Sequence, residues 1–76
     1  MAQSSAELTI DARDMEPPEP FAAAQQALLT LTRGQTLRML LPREPFPLYR
    51  ALEPAGFQYA TTRNPQGWFE VRIWHR

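Results

Sequence analysis

The chain has 76 residues, 43% of them apolar and 21% charged, which is typical of one small folded domain. Eight basic and eight acidic side chains cancel, and this neutrality disfavours a general binder of nucleic acid or membrane surfaces. Cysteine and lysine are absent, so disulfides, thiolate chemistry, cysteine-ligated metal and Schiff-base mechanisms are excluded. The sequence contains neither an apolar run of about 20 residues nor a signal peptide at its start, so we expect a cytoplasmic protein.

The first half of the chain predicts one strand and one helix. Residues 1–6 are small and polar and predict a flexible N-terminus, followed by a single domain over residues 7–76. Residues 7–11 alternate polar and apolar, which predicts a half-buried strand, and the charged, proline-rich stretch 12–20 predicts an exposed connection. A helix follows, because prolines crowd its start and apolar side chains recur at helical spacing up to Gly34, where we expect the helix to stop. Its predicted inward stripe consists of Phe21, Ala24, Ala27, Leu28 and Leu31.

The second half predicts a strand, a short helix and a hairpin. Residues 36–41 read as a strand that ends at Pro42, because proline cannot donate to a sheet ladder. Pro47 is well placed as the first residue of a short helix, which Pro54 and Gly56 end. Residues 57–63 and 68–74 then predict two strands joined by the turn at residues 64–67. The predicted inward residues of the strand and the short helix are Leu37, Met39, Leu41, Leu48, Ala51 and Leu52.

The element order β-α-β-α-β-β limits the architecture. A strand-helix-strand unit closes with its two strands parallel, and the final hairpin is antiparallel, so the four strands form a mixed sheet. Each helix has one apolar stripe to bury, and the sheet offers one clearly apolar face. The sequence therefore predicts a two-layer α/β sandwich with both helices on one face of the sheet.

The stretch from Leu8 to Pro20 resembles the opening of the TusA/SirA-like superfamily. Those proteins carry a Leu-Asp-x-x-Gly-x-x-Cys-Pro-x-Pro opening, a helix, and a glycine-containing turn into a second strand. Pro18-Glu19-Pro20 keeps the Pro-x-Pro part, Gly34 matches the turn, and Gly56 and the final hairpin also fit. The resemblance covers almost the whole chain and implies the same two-layer β-α-β-α-β-β sandwich.

One departure from the superfamily pattern bears on mechanism. The resemblance places Pro17 where the sulfur-carrier members hold their persulfide-forming cysteine, and Asp14 where they have a glycine. Sulfur relay needs a nucleophilic thiolate, which proline cannot supply. The sequence therefore excludes a sulfur carrier of the TusA type.

A cysteine-less branch of this superfamily, described as a domain of unknown function, resembles the chain more closely. That branch shows a Leu-Asp-x-Arg opening, a Pro-Pro pair, an Arg-Glu-Pro-x-Pro-Leu-Tyr segment and a Trp-x-Val-x-Ile final strand. Asp11 and Arg13 fit the opening, Pro17 and Pro18 fit the pair, and residues 43–49 and 68–73 resemble the later motifs. Relatives of the branch can accompany hemerythrin-like or redox-linked proteins, which implies a context but no chemistry.

The loops that precede the two helices form the first candidate site. Both follow parallel strands, so Asp11, Arg13 and Asp14 gather at the same sheet edge as Arg43 and Glu44. The positive ends of two helix dipoles point there as well, so Arg13 and Arg43 could hold a small anionic ligand or a partner carboxylate. Alternatively the charges only hold the loops, with Arg13 paired to Glu44, or Arg43 to Asp11 or Asp14. We take Arg13, Arg43, Glu44 and Asp11 as the candidate ligand-binding residues.

The uncovered face of the sheet is the second candidate. Phe69, Val71 and Ile73 point inward, which leaves the alternate residues of the last strand on the open face beside Arg38 and Leu40. Tryptophan and arginine dominate protein-binding hot spots, so this face is a candidate interface for a protein partner or a second copy. Ordinary cross-strand packing of tryptophan on arginine is the alternative. The candidate interface residues are Trp68, Arg72, Trp74 and Arg38.

Catalysis finds little support in the sequence. The only histidine, His75, is next to the C-terminus and we expect it to be a frayed surface residue. The carboxylates match no metal-ligand spacing, and so thin a domain is expected to hold no enclosed cleft. We therefore predict no catalytic residue, no metal and no cofactor.

Two functional hypotheses of different classes follow from the sequence. The first is a non-catalytic interaction module that docks a protein partner, or a second copy, through the open sheet face or the loop edge. The second is a small anionic-ligand binder, or an accessory factor in redox or sulfur metabolism, that holds its ligand between Arg13 and Arg43. Neither hypothesis involves a membrane, and the neutral charge, the lack of lysine and Glu70 on the sheet face disfavour nucleic acid.

Overall fold

A computed structural model of the chain describes residues 7–76, so the flexible N-terminus predicted over residues 1–6 lies outside the described residues. Six elements follow one another in the order that the sequence predicts. They are β1 (Glu7–Asp11), α1 (Glu19–Thr30), β2 (Thr36–Leu41), α2 (Phe46–Leu52), β3 (Phe57–Arg63) and β4 (Phe69–His75).

The four strands form one mixed sheet in the order β1-β2-β4-β3. β1 runs parallel to β2, with Glu7 opposite Thr36, and β4 runs antiparallel to both β2 and β3. Both helices contribute side chains to one core on one face of this sheet, which confirms the two-layer α/β sandwich. Within residues 7–76, no helix is long and apolar enough to cross a membrane.

The core is built from the alternate residues of the strands. Leu37 and Met39 on β2 face the same way as Val71 and Ile73 on β4, and all four side chains are fully buried. The helices cover them with the buried residues Ala24, Leu48 and Leu52. Around this centre pack partly buried side chains, which include Leu8, Ile10, Phe21, Ala27 and Leu28. The inward residues predicted for β2 and α1 are therefore confirmed, and of those predicted for α2, Leu48 and Leu52 are buried whereas Ala51 is only half-buried.

The end of α1 differs from the prediction. The helix ends at Thr30, and Leu31 is already extended with φ −73° and ψ 123°. Gly34, at φ 93°, is the third residue of a separate turn, in which the Gln35 N–H donates to the Thr32 carbonyl at 3.0 Å. Such a turn requires a positive φ at its third position, so the glycine serves the turn and not the helix cap.

The last strand is displaced by one residue from the prediction. β4 covers Phe69–His75, so Trp68 belongs to the turn, where its carbonyl accepts from the Asn64 N–H at 2.7 Å. The expectation of a frayed His75 is wrong for the same reason, because the residue is part of the sheet. Its ring packs 4.6 Å from that of Phe57, and its Nε2 lies 2.8 Å from the Leu31 carbonyl oxygen.

Candidate interaction surfaces

A groove lies at the sheet edge where β1 and β2 end and both helices begin. It has a volume of about 400 Å³ and is open to the outside. Its apolar wall contains Met15, Phe21, Leu41 and Leu48. Most of the remaining lining consists of prolines from the two loops and the first turns of the helices, namely Pro17, Pro18, Pro20, Pro42, Pro45 and Pro47. We call this feature the proline groove. The sequence predicts no enclosed cleft, and this groove is open.

An exposed aromatic side chain lies directly beside the proline groove. Phe46 is the first residue of α2, is 56% exposed, and is flanked in the chain by Pro45 and Pro47, which both line the groove. Its ring makes an edge-on contact with Tyr49 at 5.8 Å between centroids. A large apolar residue exposed next to an apolar groove extends the patch that a partner could cover.

Three charged residues lie along the proline groove, and two of them, Arg43 and Glu44, are predicted site residues. Arg43, Glu44 and Glu16 contribute to its lining. Among residues 7–76, Arg43 has no carboxylate within ion-pair distance. The prediction that it pairs with Asp11 or Asp14 is therefore wrong. Its guanidinium is the cation that the groove can offer to a partner.

Glu44 is held by α2. One carboxylate oxygen, Oε2, accepts a hydrogen bond from the Tyr49 hydroxyl at 3.1 Å, and that hydroxyl lies 2.5 Å from the Thr61 hydroxyl on β3. The Tyr49 ring stacks on Tyr59 with 4.3 Å between centroids. Burial raises the pKa of the Tyr49 hydroxyl, so it stays protonated and donates to Glu44. This chain of contacts fixes the carboxylate beside the groove.

Arg13 and Asp11 form a separate cluster. Arg13 binds Asp11 with two side-chain contacts, Nε to Oδ1 at 2.9 Å and Nη2 to Oδ2 at 2.8 Å, and its guanidinium lies 4.9 Å from the centre of the Trp68 ring. This pair lowers the pKa of Asp11 to about 2. The partner predicted for Arg13, Glu44, is therefore wrong. Neither Arg13 nor Asp11 lines the proline groove, so the four candidate ligand-binding residues divide into two pairs.

The helix N-termini have few amide groups left for an anion. Proline at positions 18, 20, 45 and 47 has no N–H. At the start of α2 the Phe46 N–H donates to the Glu44 carbonyl, and the N–H groups of Leu48 and Tyr49 both donate to Pro45. At the start of α1 the Glu19 N–H donates to Glu16 at 2.8 Å. These helix starts therefore present an apolar surface more than an anion-binding one.

The open sheet face carries a network of ion pairs. Glu70 on β4 accepts from Arg38 at 2.5 Å and from Arg72 at 3.1 Å, and Arg72 also pairs with Glu7 on β1. Arg38 and Arg72 are directly opposite each other in the sheet register, so Glu70 bridges two like charges. This network holds the pKa of the Glu70 carboxyl below its usual value, chiefly through the hydrogen bond from Arg38.

The two tryptophans predicted for the sheet face also have contacts within the chain, although Trp68 lies in the turn before β4. Trp74 donates its indole N–H to the Gln58 side chain at 3.1 Å, and Trp68 packs under Arg13. The four candidate interface residues, Trp68, Arg72, Trp74 and Arg38, thus all have partners in their own chain. The arrangement differs from the cross-strand packing of tryptophan on arginine that the sequence left open, because Arg38 and Arg72 pair with Glu70 and the stacked pair, Arg13 and Trp68, lies outside the strands.

The sequence placed a site at the loop edge but did not identify its apolar part. The signal was present, because six of the eight prolines occur in or beside the two loops. Phe46, moreover, belongs to no predicted inward stripe. No group of three or more metal-ligating side chains occurs in the part of the chain that the structure describes.

The fold defines a class, a small α/β sandwich of the SirA-like kind. A SirA-like protein from Desulfitobacterium hafniense, solved by crystallography, is 28% identical to the chain and superposes with a TM-score of 0.76 over 86% of this chain and 92% of that one. Residues 9–75 match the profile of the family described as "Uncharacterized conserved protein (DUF2249)", and the chain belongs to that family. No curated protein matches the chain.

Proposed function

We propose that this protein is a non-catalytic interaction module of the cytoplasm and that its contact surface is the proline groove. The observation that carries the proposal is the combination of an open apolar groove of about 400 Å³, the exposed Phe46 beside it, and Arg43 along it, which makes no ion pair within residues 7–76. The position that the resemblance assigns to the sulfur-carrier cysteine is Pro17, which lines the same groove. The surface that carries a thiol in sulfur-carrier relatives is thus an apolar contact surface in this chain.

The chemistry of the groove specifies the segment that it fits. Its proline and aliphatic walls favour a large apolar side chain, because burial of such a side chain contributes about 1.5–3 kcal/mol. Arg43 favours an acidic residue close to that side chain, because a guanidinium binds a carboxylate with strong, charge-assisted hydrogen bonds. The expected partner segment therefore carries an acidic residue within one or two positions of a large apolar residue.

The open sheet face supports this role less well. Its arginines are engaged by Glu70 and Glu7, and Trp74 by Gln58. A partner on this face would have to break those contacts or leave them buried, and burial of an ion pair away from water is costly. A partner that binds in the proline groove does not have to break or bury these contacts.

The experiment is a selection of binding peptides from a displayed library of random short peptides. We expect enrichment of peptides with an acidic residue next to a large apolar one. Pro42→Asp, at an exposed position in the groove, should weaken their binding about tenfold or more, because it puts a carboxylate into the apolar site. The matched control is Ala55→Asp, which is exposed but outside the groove and should bind the peptides as the parent chain does. Equal binding by the parent chain and Pro42→Asp would contradict the proposal.

The small-anion alternative retains one observation in its favour, the guanidinium of Arg43 along an open groove. It calls for a second cation, and Arg13 is bound to Asp11. Titration of the labelled protein with phosphate, sulfate and thiosulfate distinguishes the two functions. Saturable amide shifts confined to residues 13, 43, 44 and 46 would favour the anion binder, whereas an interaction module predicts no saturable shifts.

A further inference from the structure

We infer that the proline groove takes a second copy of this chain, with Phe46 of each protomer inserted into the groove of the other. The inference rests on the proposed function, because it names the occupant of the same groove. Phe46 and Leu29 are the large apolar side chains that stand out as exposed in the described chain, and Phe46 is the one flanked by groove residues.

The chain itself carries the segment that the groove fits. Glu44-Pro45-Phe46 places an acidic residue two positions before a large apolar one, which is the pattern derived from the groove's own chemistry. Phe46 is 56% exposed, so its ring is available for burial. Glu44 uses one carboxylate oxygen for Tyr49, and its other oxygen is available for a guanidinium.

The symmetry of a dimer matches the arrangement of these residues. In a twofold dimer the same patch of both protomers forms the interface. Each contact between a residue of one protomer and a residue of its partner therefore occurs a second time with the two protomers exchanged. Phe46 is adjacent to the groove but does not line it, and a twofold axis beside it would place each ring at the groove of the other protomer. The same axis brings Arg43 of each protomer to Glu44 of the other. The twofold interface would thus join Phe46 to an apolar groove and Arg43 to Glu44 at the same time.

The first test is the solution mass over a concentration series, by light scattering or sedimentation. We expect a concentration-dependent rise from 8.8 kDa toward twice that mass. Phe46→Ala should raise the dissociation constant about 100-fold, because each dimer loses two inserted rings worth about tenfold or more apiece. The matched control is Leu29→Ala, which removes an 82% exposed apolar side chain from α1 and should leave the mass unchanged. A chain that stays monomeric throughout, or a dimer that Phe46→Ala leaves intact, would overturn the inference.

The second test exchanges the charges. Arg43→Glu alone and Glu44→Arg alone should each be monomeric, because each places like charges across the axis. An equimolar mixture of the two should dimerise, because every contact between them joins an arginine to a glutamate, and the double variant Arg43→Glu/Glu44→Arg should dimerise for the same reason. Circular dichroism checks that each variant is folded. Dimerisation of the single variants to the same extent as the mixture would contradict the contact.

The two proposals fail separately. A monomeric chain that still binds selected peptides through the groove would refute self-association and retain the interaction module. A chain that dimerises through Phe46 but whose peptide binding is indifferent to Pro42→Asp would retain the dimer and refute docking of other partners in the groove.

Discussion

Glu70→Gln tests whether the charges of the open sheet face serve the fold. The substitution keeps the shape of the side chain and removes the charge that bridges Arg38 and Arg72. The Glu70 side chain is only 22% exposed, so its ion pairs are worth more than the fraction of a kcal/mol typical of fully exposed pairs. Two arginines left opposite each other in the register add a repulsive contribution.

These contributions set the expected magnitude. A hydrogen bond to a charged group contributes about 1.5–3 kcal/mol, and partial exposure reduces that figure, so we expect a loss of about 2 kcal/mol from the free energy of unfolding. In a domain of this size that corresponds to a fall of about 8–16 °C in the melting temperature. The difference should shrink as salt is added, because screening weakens both the lost attraction and the new repulsion.

The assay is urea unfolding, with Glu53→Gln as the matched control. Glu53 is exposed and makes no ion pair within residues 7–76, so its substitution should change the free energy of unfolding by less than about 0.5 kcal/mol. A double-mutant cycle with Arg38→Gln then measures the coupling directly. If Glu70→Gln costs no more than Glu53→Gln, the network does not support the fold and the sheet face is free for a partner.

Three further outcomes are expected. Asp11 and Glu70 have lowered pKa values in the folded chain, so the stability that they contribute is present above about pH 4.5 and is lost as the pH falls toward 2; a free energy of unfolding that is flat across this window would contradict the assigned pairs. Tyr49→Phe removes the hydroxyl that links Glu44 to β3 while keeping the ring, and should cost about 1 kcal/mol in urea unfolding; no loss would mean that these hydrogen bonds add nothing. Leu52→Ala empties a fully buried position and should cost about 2–5 kcal/mol, and a loss below 1 kcal/mol, measured the same way, would show that the position is not close-packed.

The sequence predicted the sheet well because its strands carry a strong local signal. β1, β2 and β3 have the predicted bounds, since apolar alternation marks β1, and glycine or proline close to the ends marks β2 and β3, without reference to the rest of the chain. The end of α1 was wrong because Gly34 is compatible with a helix cap and with a turn, and only the extended conformation of Leu31 decides between them.

Of the four residues predicted at the loop edge, Arg43 and Glu44 line the proline groove and Arg13 and Asp11 do not. Parallel strands bring both loops to one edge, so the topology alone placed Arg13 near the same edge as Arg43. The pairing of Arg13 with Asp11, two residues away, depends on the loop conformation, which charge and spacing do not determine. The proline groove depends on the packing of residues 15–21 against residues 41–48, and local patterns carry no information about that contact.

The most direct test of the proline groove as the contact surface is a map of amide shifts when a selected peptide is added to labelled protein. We predict that the largest shifts occur at the backbone amides of the non-proline residues among 15–21 and 41–48, and that residues 70–74 on the open sheet face are unaffected. Shifts centred on residues 70–74, with the groove residues unchanged, would contradict it.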